Sequence, residues 1–591
     1  MGGLAGCIQR DEVQAGAALE RMLLSPAARG APARRARSAA TAVFGKRDAD
    51  IAEAVERGDV LALCGYVRLR GRSSDAAEVL AAWRAKGEPT LDALSGEFAI
   101  AGRIGGRLFV ARDALGARPM YVGELPRGGI AFSTSLFALL FAGARPEIDY
   151  DSVVRGLVLG YPTSPGTALT SVRQLGPGEI WELAPKRTVR RWFVPIERLN
   201  KRRTLAASVR LVDRAVTHAV EDAIPPGARV AAFLSGGIDS SIVLARVHES
   251  GTPVEAYTLF FGDHLPGEMR YARAVAQHLG VRHHTLEVDA RRFCDGIEPA
   301  VDRLEDVLSE EIAVPNFLLA REAAKSADVL FTGEGGDQSF GGPKNVAMAL
   351  SYAYSSHPAA APLAHTYLSL HRYLWNKLDR AVEPRVLAAF DPEKLADDVA
   401  RRFFDDRVPR NGSFVGHVMI GNTVIKGGNN ILIKAAKTIG FANDLAIRSP
   451  MYDRRLVELA FTIPPWHKLD GSAEKLVLRL ASLRSLPEWV VHRPKRGMSL
   501  PMGYWFARDL GALARDVLTE RTVRDRGLFR WSYVEKLLAH APVSRHHDRF
   551  PSLEQLWLVL MTELHHRSID RTAREVRALT ARPPGHEAAR A

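Results

Sequence analysis

At 591 residues the chain is long enough for two or more domains, and 47% hydrophobic against 25% charged residues is ordinary globular composition. No apolar run approaches the roughly 20 residues that span a bilayer, and no basic segment followed by an apolar core opens the chain, so neither membrane insertion nor a signal peptide is expected. The net charge of +13 is carried largely by arginine in two alanine-rich stretches; no nucleic-acid-binding motif accompanies it, so no nucleic-acid partner is expected, and acidic ligands suit it.

Residues 1–195 read as mostly β, with short strand-like runs at 98–102, 108–111, 129–133 and 179–183 separated by Gly and Pro. An amphipathic helical segment over 200–223 is stopped by Pro225-Pro226-Gly227. From Arg229 strands (230–234, 254–261, 284–288, 329–332) alternate with helices (240–248, 271–279), which predicts a parallel sheet covered by helices. Past Gly342 the pattern is mostly helical, and 566–591, with little apolar periodicity, reads as a disordered tail. Cys7, Cys64 and Cys294 are scattered, show no metal-ligand spacing and fit a reducing cytoplasm.

The most informative stretch is Val230-Ala231-Ala232-Phe233-Leu234-Ser235-Gly236-Gly237-Ile238-Asp239-Ser240-Ser241. A buried strand, a glycine turn and a helix N-terminus place several backbone N–H groups around one small anion. The glycines admit close backbone approach, and Asp239 adds a carboxylate suited to a Mg²⁺ that bridges phosphates. No Walker sequence is present. The alternative is a glycine turn that binds nothing. SGGIDSS resembles the pyrophosphate loop of the ATP pyrophosphatases, which form acyl-adenylates from ATP.

Further motifs follow in order: Tyr271-Ala-Arg273 through His278-Leu-Gly280 to His283-His284, then Phe331-Thr332-Gly333-Glu334-Gly335-Gly336-Asp337, Arg448-Ser449-Pro450-Met451-Tyr452-Asp453, and Arg493-Pro494-Lys495-Arg496-Gly497. With Leu94-Ser95-Gly96-Glu97-Phe98, Arg112-Asp113-Ala114-Leu115-Gly116 and Leu175-Gly176-Pro177-Gly178 in the first half, the chain resembles the asparagine synthetase B family over nearly its full length. The resemblance implies an α/β protein. An N-terminal nucleophile (Ntn) hydrolase-like β-rich sandwich over 1–195 would precede an ATP-pyrophosphatase parallel-sheet domain of the adenine nucleotide α-hydrolase type over 196–565, with a helical C-terminal part. The family begins Met-Cys-Gly, whereas position 2 here is Gly2 and Cys7 lies inside. The family's Arg-Gly-Pro-Asp loop has no counterpart in 35–48. A glutaminase without its nucleophile is expected to be inactive.

The resemblance also implies site roles. Ser235, Gly236, Gly237, Ser240 and Ser241 would cradle pyrophosphate; Leu234, Leu259, Thr332 and Gly333 would hold adenosine; Asp239 and Asp337 would hold Mg²⁺. Asp239 and Asp337 each follow a predicted strand end, and in an open parallel sheet such ends meet at one crevice. Lys495 would stabilise negative charge, with Lys475 and Arg496 as weaker candidates, and Glu334 would be the general base. The Gly333–Phe340 stretch is similar to that of the lasso peptide macrolactam synthetases. In such enzymes a peptide Asp or Glu is adenylated and the peptide's own N-terminal amine displaces AMP. A leader-binding protein and a cysteine protease would then be partners. A small-molecule amide synthetase, including a β-lactam former, and a silent peptide-binding scaffold are the alternatives. Ala446, and Ala436 within Lys434-Ala435-Ala436-Lys437, depart from the family pattern and imply a remodelled acceptor pocket.

Overall fold

The computed structural model describes residues 3–8, 12–25, 33–35, 41–44, 51–262, 269–353, 360–370, 373–403, 413–471, 473–493, 500–540 and 551–581. The N-terminal part is a sandwich of two antiparallel sheets. Among the described residues one sheet has six strands, in the order Val172–Gln174, Tyr121–Glu124, Ile130–Ser133, Gly3–Ile8, Thr41–Phe44, Ala33–Arg35. The other runs Thr188–Arg191, Glu179–Ala184, Arg107–Arg112, Leu94–Ile104, Asp59–Leu69, Ile51–Glu56, with Arg72–Ser74 paired to Asp59–Leu69. Strand alternation sorts the side chains. Ala62 and Cys64 face the opposite sheet, whereas Leu61 and Leu63 pack on the helix Ala76–Lys86. Helices Glu12–Leu23 and Leu136–Ala142 cover the outer face of the first sheet, which completes a four-layer α/β/β/α domain.

The second part is built on five parallel strands in the order Arg282–Glu287, Val254–Phe260, Val230–Phe233, Val329–Phe331, Ala446–Arg448. Val230, Ala232, Val329 and Phe331 face the helices Leu205–Glu221 and Ile238–Glu249. Ala231, Tyr257 and Leu330 face Ala290–Leu304 and Ala313–Ala323. Numbered by sequence the order is 3-2-1-4-5, so chain direction across the sheet reverses between Val230–Phe233 and Val329–Phe331. In open parallel sheets the ligand crevice forms at the C-terminal ends of the strands at such a reversal.

The framework motifs of the first domain bind it to the second. Buried Arg112 donates through Nη2 to Gly428 O (2.7 Å), Glu97 Oε1 accepts from Ser449 N (2.8 Å), and Asn429 Oδ1 accepts from Ser164 N (3.0 Å). The tail expected from residue 566 onward is corrected. The helix Pro551–Thr580 runs through that point with His566, Ile569, Thr572 and Ala573 buried, and only 582–591 lie outside the described residues. Buried polar side chains hide its apolar period: Ser568 Oγ donates to Asp302 Oδ1 (2.6 Å). Among the described residues no helix is long and apolar enough to cross a membrane.

Candidate active site

The glycine turn after Val230–Phe233 closes on itself before any ligand arrives. Ser235 N donates to Ser240 Oγ (3.1 Å), the Ser235 and Ser240 hydroxyls lie 3.0 Å apart, and Gly237 N donates to Ser235 Oγ (3.2 Å). Gly236 holds φ at +70°, and a Cβ there would stand 2.5 Å from Ala272 N, so only glycine fits. The turn after Val329–Phe331 is pressed against the first. A Cβ on Gly333 would lie 2.4 Å from Ser240 N, and one on Gly336 would lie 2.0 Å from Asp239 Oδ1.

This contact brings Asp239 and Asp337 to one buried cation. Lys475 Nζ binds Asp239 Oδ2 and lies 2.6 Å from Asp337 Oδ1, with its side chain 1% exposed. Burial alone would depress the Lys475 pKa; the two aspartates outweigh it and hold the pKa above the ordinary lysine value. Neither aspartate is a helix cap: Gly237 and Gly335 occupy the cap positions without side-chain capping bonds. Asp239 Oδ1 is buried and has no hydrogen-bond partner among the described residues. Two carboxylates beside a phosphate-type loop, one of them with an oxygen unpartnered among the described residues, are donors that fit Mg²⁺, which takes one or two carboxylates and completes its shell with phosphate and water.

Both turns open into one cavity of about 750 Å³. Leu234, Ser235, Gly237, Asp239, Ser240, Leu259, Thr332, Gly333, Glu334 and Asp337, all expected at the site, line it, as does Lys475. Gly236 stays behind the wall, where its carbonyl accepts from Arg493 Nη1 (2.9 Å). Ser241 does not line the cavity: it is fully buried, one helix position beyond Ser240 and so rotated by about 100° from it. Lys495 and Arg496 lie outside the described residues. Glu334 carries a carboxyl raised above its ordinary value, chiefly by burial; Lys434 opposes the shift and Glu310 reinforces it. A carboxylate raised in this way holds a proton more readily than a free one, which suits a general base.

The far half of the cavity was not legible beforehand. Its wall is a π-helical stretch, Asn422–Ile431 and Ala435–Phe441 around the short turn Leu432–Lys434. Bonds from i to i+5 widen the turn and return a side chain to the same face after roughly four to five residues. Asn422, Lys426, Ile431, Ala435 and Ile439 therefore all face the cavity. On an α-helix, at 3.6 residues per turn, positions 422 and 431 would point in opposite directions. Opposite this wall Glu310 binds Lys434 Nζ and lies 3.5 Å from Lys426 Nζ. Burial would raise the Glu310 pKa, but the two ammonium groups hold it well below the usual carboxylate range. Leu159 and Tyr161 from the first domain, with Tyr373 and Trp557, complete an apolar and aromatic side.

Residues 211–567 match the asparagine synthase family, and residues 66–193 match the glutamine amidotransferase domain family. The chain is 23% identical over 528 residues to asparagine synthetase [glutamine-hydrolyzing] 1 of Bacillus subtilis, covering 83% of this chain and 80% of that protein. It is 29% identical over 480 residues to a putative glutamine-hydrolyzing asparagine synthetase of Mycobacterium tuberculosis, covering 73% and 71%. It is 25% identical over 414 residues to the carboxyethyl-arginine beta-lactam-synthase of Streptomyces clavuligerus, covering 68% and 64%.

Proposed function

Because the chain belongs to the asparagine synthase family, whose chemistry is ATP-dependent amide synthesis, we propose that it adenylates a side-chain carboxylate of a ribosomal peptide and closes a macrolactam with the peptide's own N-terminal amine. AMP and pyrophosphate leave. The observation that carries this reading is the cavity, which runs from the phosphate loop into a half walled by Leu159, Tyr161, Tyr373 and Trp557. Apolar and aromatic walls of this kind suit a folded peptide segment. Holding amine and acyl-adenylate in one enclosure makes the closing step effectively unimolecular.

Ser235, Gly237 and Ser240 would bind the phosphates. Asp239 and Asp337 would hold Mg²⁺, which supplies charge neutralisation on the phosphates. Lys475 would stabilise the negative charge that grows there, together with Lys495, and Glu334 would take the proton of the incoming amine. The cysteines support an internal amine over glutamine as nitrogen source. Cys7 and Cys64 are fully buried, and the Cys294 thiol, in the other domain, is pushed up to about 12 by burial. On this reading a leader-binding protein and a cysteine protease supply the trimmed peptide. A small-molecule amide synthetase is the second reading, favoured by the likeness to the beta-lactam-synthase and the asparagine synthetases.

The test is product mass. The chain is incubated with ATP, Mg²⁺ and, in parallel, a core peptide with a free N-terminus or aspartate plus ammonia. A peptide lighter by one water (about 18 Da), with AMP formed and both lost in Asp239→Ala, supports ring closure. AMP formation with the small acid alone refutes it and moves the chain to the second reading.

A further inference from the structure

The cations that line the cavity differ in how firmly they are committed. Lys475 bridges Asp239 and Asp337. Lys434 has a 5% exposed side chain under Glu310. Arg493 donates to Gly236 O and stacks on Tyr271 with its guanidinium carbon 4.2 Å from the ring centre. Arg479 is fixed by the carbonyls of Glu474 (2.8 Å) and Arg493 (3.0 Å). Lys426 is 27% exposed and is held, among the described residues, by a single ion pair at 3.5 Å to Glu310 Oε1. A charge-assisted hydrogen bond is formed at about 2.7–2.9 Å, so this contact is loose.

Glu310 does not depend on Lys426. Its other oxygen, Oε2, already binds Lys434, so Lys426 can turn to a ligand and leave Glu310 neutralised. The trio of two lysines and one glutamate carries one excess positive charge, enough for one carboxylate. The remaining charges on this side are acidic: Glu311, Glu334 and Glu554 also line the cavity. Among the described cations that line the cavity, Lys426 is the least committed to other partners, so an anion entering there is drawn to it. The backbone beneath is fixed, because Asn422 Nδ2 donates to Asn345 Oδ1 (3.1 Å) and Asn345 Nδ2 donates to Asp337 O (3.1 Å). That chain of bonds ties the lysine's helix to the helix of Asp337, so the two halves of the cavity keep a constant spacing.

We propose that Lys426 is the specificity-determining residue that receives the side-chain carboxylate of the substrate and presents it to the nucleotide half. This deepens the function proposed above and rests on its premise that a carboxylate is activated. The chemistry is that of an Asp or Glu side chain, whether within a peptide or in a free amino acid.

Calorimetric titration of the full chain, saturated with α,β-methylene-ATP and Mg²⁺, tests it with two probes: N-acetyl-L-glutamate methylamide, which has one carboxylate and no amine, and free L-glutamate. The blocked probe is expected to bind the parent chain, to bind Lys426→Met at least about tenfold more weakly, and to bind Lys426→Arg within roughly threefold. Nucleotide affinity should be the same in all three. Preference for free L-glutamate, lost in Lys426→Met, supports the same subsite with a free amino acid as its source. Equal affinity of parent and Lys426→Met, or no saturable binding of either probe to the parent, overturns the proposal. Carboxylate binding that depends on Lys426 alongside no peptide product refutes ring closure while the subsite stands, so the two failures are distinguishable.

Discussion

Gly333→Ala tests whether the two turns must touch for the nucleotide to bind. The added Cβ would stand 2.4 Å from Ser240 N and 2.7 Å from Asp239 C, both backbone atoms that cannot rotate away. Ordinary contact needs about 3.4 Å, so the turns must part by about 1 Å. At that displacement one charge-assisted hydrogen bond from the Ser235–Ser240 turn to phosphate is lost, which weakens binding by about 2–3 kcal/mol, or about 30- to 150-fold in Kd. Overpacking adds about 1–3 kcal/mol of destabilisation, a shift of a few degrees in Tm for a chain of this length. The assay is calorimetric titration with α,β-methylene-ATP in Mg²⁺, with Tm measured alongside. Gly16→Ala is the control: it lies within the helix Glu12–Leu23, where an added Cβ meets nothing within 4 Å. It should bind nucleotide normally. A folded Gly333→Ala chain that binds within roughly threefold of the parent would refute the argument from close approach.

Lys475→Met leaves Asp239 and Asp337 facing each other without their shared cation; a loss of about 1–2 kcal/mol is expected, reduced from the fully buried case because the carboxylates are 21% and 40% exposed, and millimolar Mg²⁺ should restore part of it in thermal denaturation. Asp306, buried with its Oδ2 unpartnered, has a carboxyl raised from 3.8 to about 6 by burial, against the opposing charge of Lys437. Because the folded state favours the protonated form, Asp306 costs no stability at low pH, and its cost grows as pH rises from 3.8 to about 6. Denaturant unfolding should show the parent losing about 1 kcal/mol between pH 5 and pH 8 relative to Asp306→Asn, and parallel profiles would contradict it. Arg112→Met removes donors to the carbonyls of Arg118, Leu175, Gly116 and Gly428; at about 1–2 kcal/mol for each stranded carbonyl, it should destabilise the chain by more than 3 kcal/mol in the same assay.

The half of the cavity built on the two glycine turns was legible because its geometry is local. An apolar strand, a glycine turn and a helix start fix where Ser235, Ser240 and Asp239 point, and the second turn was paired with the first by the rule for parallel sheets. Ser241 lies off the cavity wall, because a motif does not say which of two adjacent helical serines faces the turn. The far half was illegible for a different reason. Glu310 and Lys426 are 426 − 310 = 116 residues apart, and no spacing rule for α-helix or strand puts Asn422, Lys426 and Ile431 on one face. The helix through 580 was missed because burial of Ser568, Thr572 and two histidines breaks the apolar period on which recognition depends. In the first domain the motifs were recognised, but their use as a seam against Gly428 and Ser449 required the fold.

The widened helical wall changes how this pocket can diverge. On an ordinary helix, exchanging one lining residue alters one contact and leaves its neighbours in place. Here facing depends on the pitch itself, so a change that restored ordinary i to i+4 bonding over 422–431 would turn Asn422 and Ile431 to opposite sides and present a new set of side chains in one step. A substitution that shifts the pitch can thus reshape the pocket without exchanging any residue that lines it.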